Sequence, residues 1–224
     1  DSSATSVKAL YDSYIKAFRW STDRLNENNE NGGIVCFVSN GAWLDGNGMD
    51  GFRKSLEREY STIYVFNLRG NQRTSGELSR REGGKIFGSG SRTPIAITLL
   101  VKNPKSKNEK AKIYYNDIGD YLDRETKLAI VRKFNSVSNP EMNWNELNPN
   151  DEGDWISMRN ELFETFIPIE AEKKFDIKTQ SFFITGTLGL NSGRAPWCFN
   201  SSINNLKLMA NTNEVAASEI KEVF

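Results

Sequence analysis

The side chains with the most chemical capacity crowd one short stretch. Residues 69–92 hold six cations, Arg69, Arg73, Arg80, Arg81, Lys85 and Arg92, against two anions, Glu77 and Glu82. Near its start stands Asn71-Gln72-Arg73-Thr74-Ser75-Gly76-Glu77. Carboxamides such as Asn71 and Gln72 can read an adenine edge bidentately, and a guanidinium can hold a phosphate or a guanine. The other reading is a polar loop that touches nothing. Near the end of the stretch stands Gly84-Lys85-Ile86-Phe87-Gly88-Ser89-Gly90-Ser91-Arg92, a Gly/Ser-rich cationic loop with one aromatic. Phe87 either staples that loop to the core or offers a flat face on which a base can stack. The cations likewise form either a solvated basic loop or a phosphate-holding lip.

Other chemistries are excluded by what the chain lacks. It has no histidine, hence no Ser-His-Asp or Cys-His catalysis and no His-ligated metal. Cys36 and Cys198 are too far apart for a metal-binding spacing, and two unpatterned cysteines suit a reducing cytoplasm. Cys36, inside Ile34-Val35-Cys36-Phe37-Val38, reads as a small buried hydrophobe. There is no Gly-rich phosphate loop between a strand and a helix. A net charge of zero argues against a chain coated in nucleic acid and leaves room for a local basic site. The longest apolar runs are strand-length, so no membrane span is expected. The chain opens on Asp1-Ser2-Ser3 with neither a basic start nor an apolar stretch, so no signal peptide is read, and it looks like a piece of something longer.

The elements that must position these residues alternate. Val7, Leu10, Tyr11, Tyr14, Ile15, Phe18 and Leu25 fall at helical spacing and predict an amphipathic helix over 5–27. A turn follows over 28–33, then an apolar strand over 34–39, then a loop over 40–48 with Trp43 and Leu44. Met49, Phe52, Leu56 and Tyr60 mark one face of a second helix. Strands are predicted over 61–68 and 94–102, with the long basic loop 69–91 between them. The 94–102 run has Thr98 as its only polar interruption and reads as buried on both faces. A polar turn over 103–110 leads to a short strand over 112–116. Leu128, Val131 and Phe134, with acids early and Lys127, Arg132 and Lys133 late, predict a helix over 123–134. Residues 135–153 read as a linker and 155–166 as a short helix, and 182–200 is turn-rich. The pattern implies an α/β sheet with helices packed on it.

IFGSGSRTPIAITLLVKN resembles the last motif of amino-group DNA methyltransferases, in which an aromatic precedes the final strand of the catalytic sheet. With YDSYIKAFRWSTDRL, GGIVCFVSNGAWL, FRKSLEREYSTIYVFNLRGNQRTSGE and YYNDIGDYLDRETKL, in that order and spacing, the chain resembles the methyltransferase part of the single-chain type ISP restriction-modification enzymes. The likeness is strongest over residues 11–127. Arg194-Ala195-Pro196-Trp197 looks like a segment that precedes target recognition in those enzymes.

The resemblance implies a fold: the C-terminal half of a Rossmann-like, S-adenosylmethionine-dependent methyltransferase sheet with flanking helices, its last strand turned back antiparallel, and then a less regular segment. It divides the chain into a catalytic half over 1–120 and, over 121–224, a helical or linker segment leading to target recognition. It implies adenine methylation of a base flipped out of double-stranded DNA, in a protein whose upstream half and motor domain precede this chain. The family's cofactor loop, its acid and its catalytic Asn-Pro-Pro-Tyr are not in the sequence, so no catalytic residue is assigned and the chain alone is expected neither to bind S-adenosylmethionine nor to methylate. Phe87 matches the aromatic that packs on the flipped base, and Asn71, Gln72, Arg73, Arg80, Arg81 and Arg92 would face DNA. Asn40 and Trp43 follow a strand whose carboxyl end faces the site in open α/β sheets. Tyr11, Asp12 and Tyr14 match a helix lining the cofactor side, the alternative being surface or core packing. A non-catalytic nucleic-acid or protein-interaction module that keeps half the fold is the other class of function, and an RNA or protein methyltransferase a third.

Overall fold

The computed structural model describes residues 2, 8–27, 30–88, 90–158, 160, 162, 165–169, 180–183, 202–205 and 207. The chain divides into two compact units, Asp1–Arg159 and Asn160–Phe224. In the second, the amides of Phe182 and Phe183 donate to the carbonyls of Pro168 and Ile169 at 3.1 and 2.8 Å. The Arg194–Trp197 motif and Cys198 lie outside the described residues.

The first unit is a mixed five-stranded sheet. Its strands are β1 (Gly33–Asn40), β2 (Thr62–Arg69), β3 (Ile95–Lys102), β4 (Lys112–Asp117) and β5 (Asn145–Leu147), in the order β1-β3-β2-β4-β5. β3 runs antiparallel to both neighbours, in register Phe37↔Thr98 and Val65↔Thr98. β2 and β4 are parallel, and β5 is antiparallel to β4. The three long strands therefore lie side by side as the apolar runs predict, with the last of them reversed between the first two. Helices α1 (Ser13–Glu27), α2 (Asp50–Glu59), α3 (Gly76–Glu82) and α4 (Arg124–Phe134) flank the sheet. Lys8–Tyr11 is a 3-10 turn, so the first α-helix begins at Ser13, later than the periodicity predicts.

Side-chain alternation along the strands gives the sheet two faces. One carries Ile63, Val65, Ala96 and Leu100 and is covered by Ile15 and Phe18 of α1, Leu56 of α2 and Tyr60 just beyond it. The other carries Phe66, Leu68 and Ile95 and is covered by Ile86, Met142 and the apolar side of α4. Asp123 caps α4 by accepting from the Thr126 amide at 2.7 Å. The cover stops short of β1: Ile34 is 65% and Val38 55% exposed, and Cys36 between them is exposed. Cys36 is therefore not a buried hydrophobe, because β1 is an edge strand with only Val35 and Phe37 packed on the core. For the same reason β3 is buried on the face of Ala96, Thr98 and Leu100 and only half-buried on the face of Ile97 and Leu99.

Three further expectations need correction. The basic stretch 69–91 is not all loop, since it holds the seven-residue α3. Residues 135–153 are not a bare linker: they contribute β5, bury Met142 and dock Trp144 by a 3.0 Å bond from its Nε1 to the Val137 carbonyl. Of the helix predicted over 155–166, residues 155–158 bend instead, whereas Leu162 and Thr165 are in 3-10 conformation. Trp155 is held there by the core, edge-on to Trp43 with ring centroids 5.3 Å apart.

Candidate functional site

β1 and β2 end on the same side of the sheet, where β3 begins, and the segments leaving them open a polar cleft of about 70 Å³. This is the side on which open α/β sheets bind their ligands. One lip is Gly41, Ala42, Leu44 and Asp45 after β1; the other is Asn71 and Glu82 after β2. Asn67 and Pro94 form the floor, and Ile156 closes a wall.

Local chemistry shapes both lips. Asn40 accepts from the Ala42 amide through Oδ1 at 2.9 Å, turning the chain out of β1, and the Gly41 amide donates to the Pro94 carbonyl at 2.9 Å. Asn67 does the same for β2, its Oδ1 accepting from the Arg69 amide at 3.0 Å across a bulge that leaves Arg69 at φ 55. Gly70 follows at φ 90, where a side chain would also crowd the Gly84 carbonyl. Glu82 then accepts from the Asn71 amide at 2.9 Å. Burial pushes the Asp45 carboxyl above its ordinary range, against its own backbone hydrogen bond and the Arg53 charge, with Glu82 adding to the rise.

The DNA-facing candidates divide into three groups. Asn71 lines the cleft. Gln72 and Arg92 bind each other: the Gln72 amide donates to the Arg92 carbonyl at 2.9 Å, and Arg92 Nη2 donates to the Gln72 carbonyl at 2.6 Å. The Gln72 side chain is committed to the Gly83 carbonyl at 2.8 Å, which takes its donor away from base reading. Arg73 is exposed, and Phe87 is exposed on the loop beyond α3. The basic stretch is less cationic in space than in sequence. Arg69 pairs with Asp117 and Asp120 at 2.7 and 2.5 Å, Arg81 with Asp120 at 2.9 Å, and Arg80 at 3.4 Å with Glu77.

Trp43 is not at the site surface. It is fully buried, and its ring lies within 6.0 Å of Phe18, Phe52 and Trp155. Tyr11 and Asp12 are exposed, in and just after a 3-10 turn that packs beside the Asn47–Met49 turn. Tyr14 leans on the core, and its hydroxyl is pushed up to about 12 by burial and by the Asp12 charge. Asp45, Asn67, Glu82 and Ile156 were not among the expected residues. The strand-end rule that pointed to Asn40 could have found Asn67; nothing local marks Ile156, which arrives from far along the chain.

Among the described residues no group of three or more His, Cys, Asp or Glu could hold a metal. A second cavity, about 160 Å³, lies between the sheet and α4, walled by Tyr64, Leu99, Phe134 and Trp144.

Sheet and cleft define an α/β domain with a polar site at the carboxyl ends of two parallel strands. No family model and no curated protein matches the chain. Solved structures do. The chain is similar to LlaGI, a Type ISP restriction-modification enzyme solved as a nuclease-deletion mutant with a DNA substrate mimic, at 42% identity and TM-score 0.77 over 93% of this chain. It is similar to LlaBIII, an ATP-dependent Type ISP restriction-modification enzyme bound to DNA, at 38% and 0.80 over 92%. It is similar to DrdV in a DrdV–DNA complex solved by cryoEM, at 28% and 0.77 over 93%. It spans 16%, 13% and 20% of those chains.

Proposed function

We propose that this chain is the DNA-facing part of an adenine-specific DNA methyltransferase within a restriction-modification enzyme of the Type ISP kind. The observation that carries the reading is the likeness at 42% and 38% identity to two such enzymes solved with DNA or a DNA mimic, over nearly the whole chain. The reversed β3 between parallel β1 and β2 agrees with the last strands of a Rossmann-like methyltransferase sheet. The intact enzyme transfers a methyl group from S-adenosylmethionine to the exocyclic amine of an adenine flipped from double-stranded DNA. Phe87 stacks on that base, Asn71 lines the cleft beside it, and Arg73, Arg80, Arg81 and Arg92 hold phosphates. Tyr11, Asp12 and Tyr14 line the cofactor side.

In this reading residues 1–120 belong to the catalytic half and 121–224 lead toward target recognition. The upstream half, which brings the cofactor loop and the catalytic tetrapeptide, pairs with the free edge of β1 and covers Ile34, Cys36 and Val38. An eight-residue apolar edge left bare is a site of strand addition or aggregation. A motor domain lies further upstream. The enzyme works in the cytoplasm; no helix among the described residues is long and apolar enough to cross a membrane.

Two assays test this. The intact protein with labelled S-adenosylmethionine should place methyl groups on adenine in duplex DNA. This chain alone, titrated calorimetrically with the cofactor, should give no binding heat; micromolar binding, about −8 kcal/mol, would mean the fragment is misplaced within the enzyme.

A further inference from the structure

Both lips of the cleft are held by segments that follow β4, on one side through Arg53 of α2. On one side the guanidinium of Arg53, buried on α2, donates through Nη1 to the carbonyls of Trp43 and Gly46 at 2.8 and 2.9 Å. Its other nitrogens reach residues a hundred positions away, Nε to the Gly153 carbonyl at 2.6 Å and Nη2 to Asp154 Oδ1 at 3.3 Å. Trp155 fastens the same segment to α2 by donating Nε1 to Glu57 Oε1 at 2.7 Å, and the next residue, Ile156, is a wall of the cleft.

On the other side, Lys127 Nζ donates to the carbonyls of Glu82 and Gly84 at 2.7 and 2.9 Å, and Arg124 Nε to that of Ile86 at 2.8 Å. The Gly84 amide donates to the Leu122 carbonyl at 2.8 Å, and the Tyr121 amide to that of Arg81 at 3.0 Å. A Cβ on Gly83 would run into the Leu122 carbonyl, so the contact is backbone on backbone.

Buried cations are an expensive way to fill space. A hydrophobic residue of similar volume is often as good or better for stability. Lys127 and Arg53 are both buried, and Lys127 Nζ and Arg53 Nη1 donate to main-chain carbonyls on the two lips. We propose that residues 120–156 form a positioning arm: Lys127 and Arg124 on one lip, and Asp154 through Arg53 on the other, set the width of the cleft. The clamp stands on its own contacts; only the identity of what enters the cleft rests on the reading above.

Hydrogen exchange on Lys127→Met and Asp154→Asn tests the arm. Losing a charge-assisted hydrogen bond should speed exchange about tenfold, at residues 83–87 in the first variant and 43–46 in the second, with β2 and β3 unchanged. No change at the lips, or an equal rise across the whole sheet, would overturn the arm. If Lys127→Met does not fold, Arg124→Gln, which removes the Ile86 bond and an exposed 3.4 Å ion pair to Glu125, must loosen residues 84–87 or the arm is wrong. In the intact enzyme with 2-aminopurine at the target position, Lys127→Met should lower the fluorescence change at saturating DNA and leave Kd unchanged. Loosened lips with an unaltered 2-aminopurine signal would uphold the arm and count against base binding in the cleft. Rigid lips would overturn the arm whatever the DNA does.

Discussion

Ile86 and Phe87 are consecutive residues with opposite surroundings. Ile86 is 6% exposed and packs with Phe66, Leu68 and Ile95; the ring of Phe87 is 50% exposed. The loop is therefore stapled to the core by its aliphatic residue, which frees the aromatic. Ile86→Ala should cost about 2–4 kcal/mol of stability, and Phe87→Ala no more than about 0.5 kcal/mol. Urea melts of the two variants check this; equal losses would make Phe87 a packing residue.

Lys127 should leave a signature in the pH dependence of stability. Burial, with help from the Arg69 charge, lowers its ammonium from the ordinary 10.5 to about 8, against the pull of Glu82 and Asp117. Between those two values the unfolded chain holds the proton and the folded chain does not. Stability from this group is thus least below about 8 and rises with pH toward 10.5. Denaturant midpoints measured across that window should rise less in Lys127→Met than in the parent chain. Parallel curves would mean that Lys127 keeps its ordinary pKa.

Pairing should decide which cations matter for DNA. Arg73 and Arg92 are exposed, whereas Asp120 holds both Arg69 and Arg81. In the intact enzyme, losing one phosphate contact should flatten the salt dependence of binding by about 0.9 in log–log slope. Arg73→Ala and Arg92→Ala should show that loss, and Arg81→Ala less of it. Asp120→Asn should tighten binding by releasing Arg81, while Arg69 keeps its pair with Asp117. A slope that falls equally for all three arginines would mean the ion pairs open when DNA binds.

Much of the sheet was legible because its apolar runs have strand length and its helices have one-sided periodicity. β1 to β4, α2 and α4 fall within a residue or two of the sequence reading. The misses have physical causes. α3, with sequence GELSRRE, is too short to show a period. Trp43 lies in a loop by composition but is drawn inside by Phe18, Phe52 and Trp155, which lie up to 112 positions away. Cys36 sits in a run apolar enough for a central strand, and a single sequence does not say which strand ends the sheet. The charge of the basic stretch was read from its own residues, while its neutralising partners, Asp117 and Asp120, come from the end of β4 and the turn after it.

The bare edge of β1 gives a chemical test of the proposed upstream half. In this chain alone the exposed Cys36 thiol should react freely with a maleimide, located by peptide mapping. In the intact enzyme it should be protected. Val38→Lys should improve the solubility of the isolated chain without lowering its melting temperature, since that side chain is already half in solvent. Equal labelling of Cys36 in both contexts would mean that nothing covers this face.

The central claim is that Phe87 meets a flipped base. Unstacking a base costs a few kcal/mol, and stacking on an aromatic returns roughly 1–3 kcal/mol. The most direct measurement is methylation by the intact enzyme carrying Phe87→Ala, on a duplex site and on the same site with its target adenine unpaired. A larger loss is expected on the duplex, where the flip must still be offset, than on the unpaired site. Equal activity of the variant and the parent enzyme on both substrates would contradict it and leave Phe87 as an exposed loop residue.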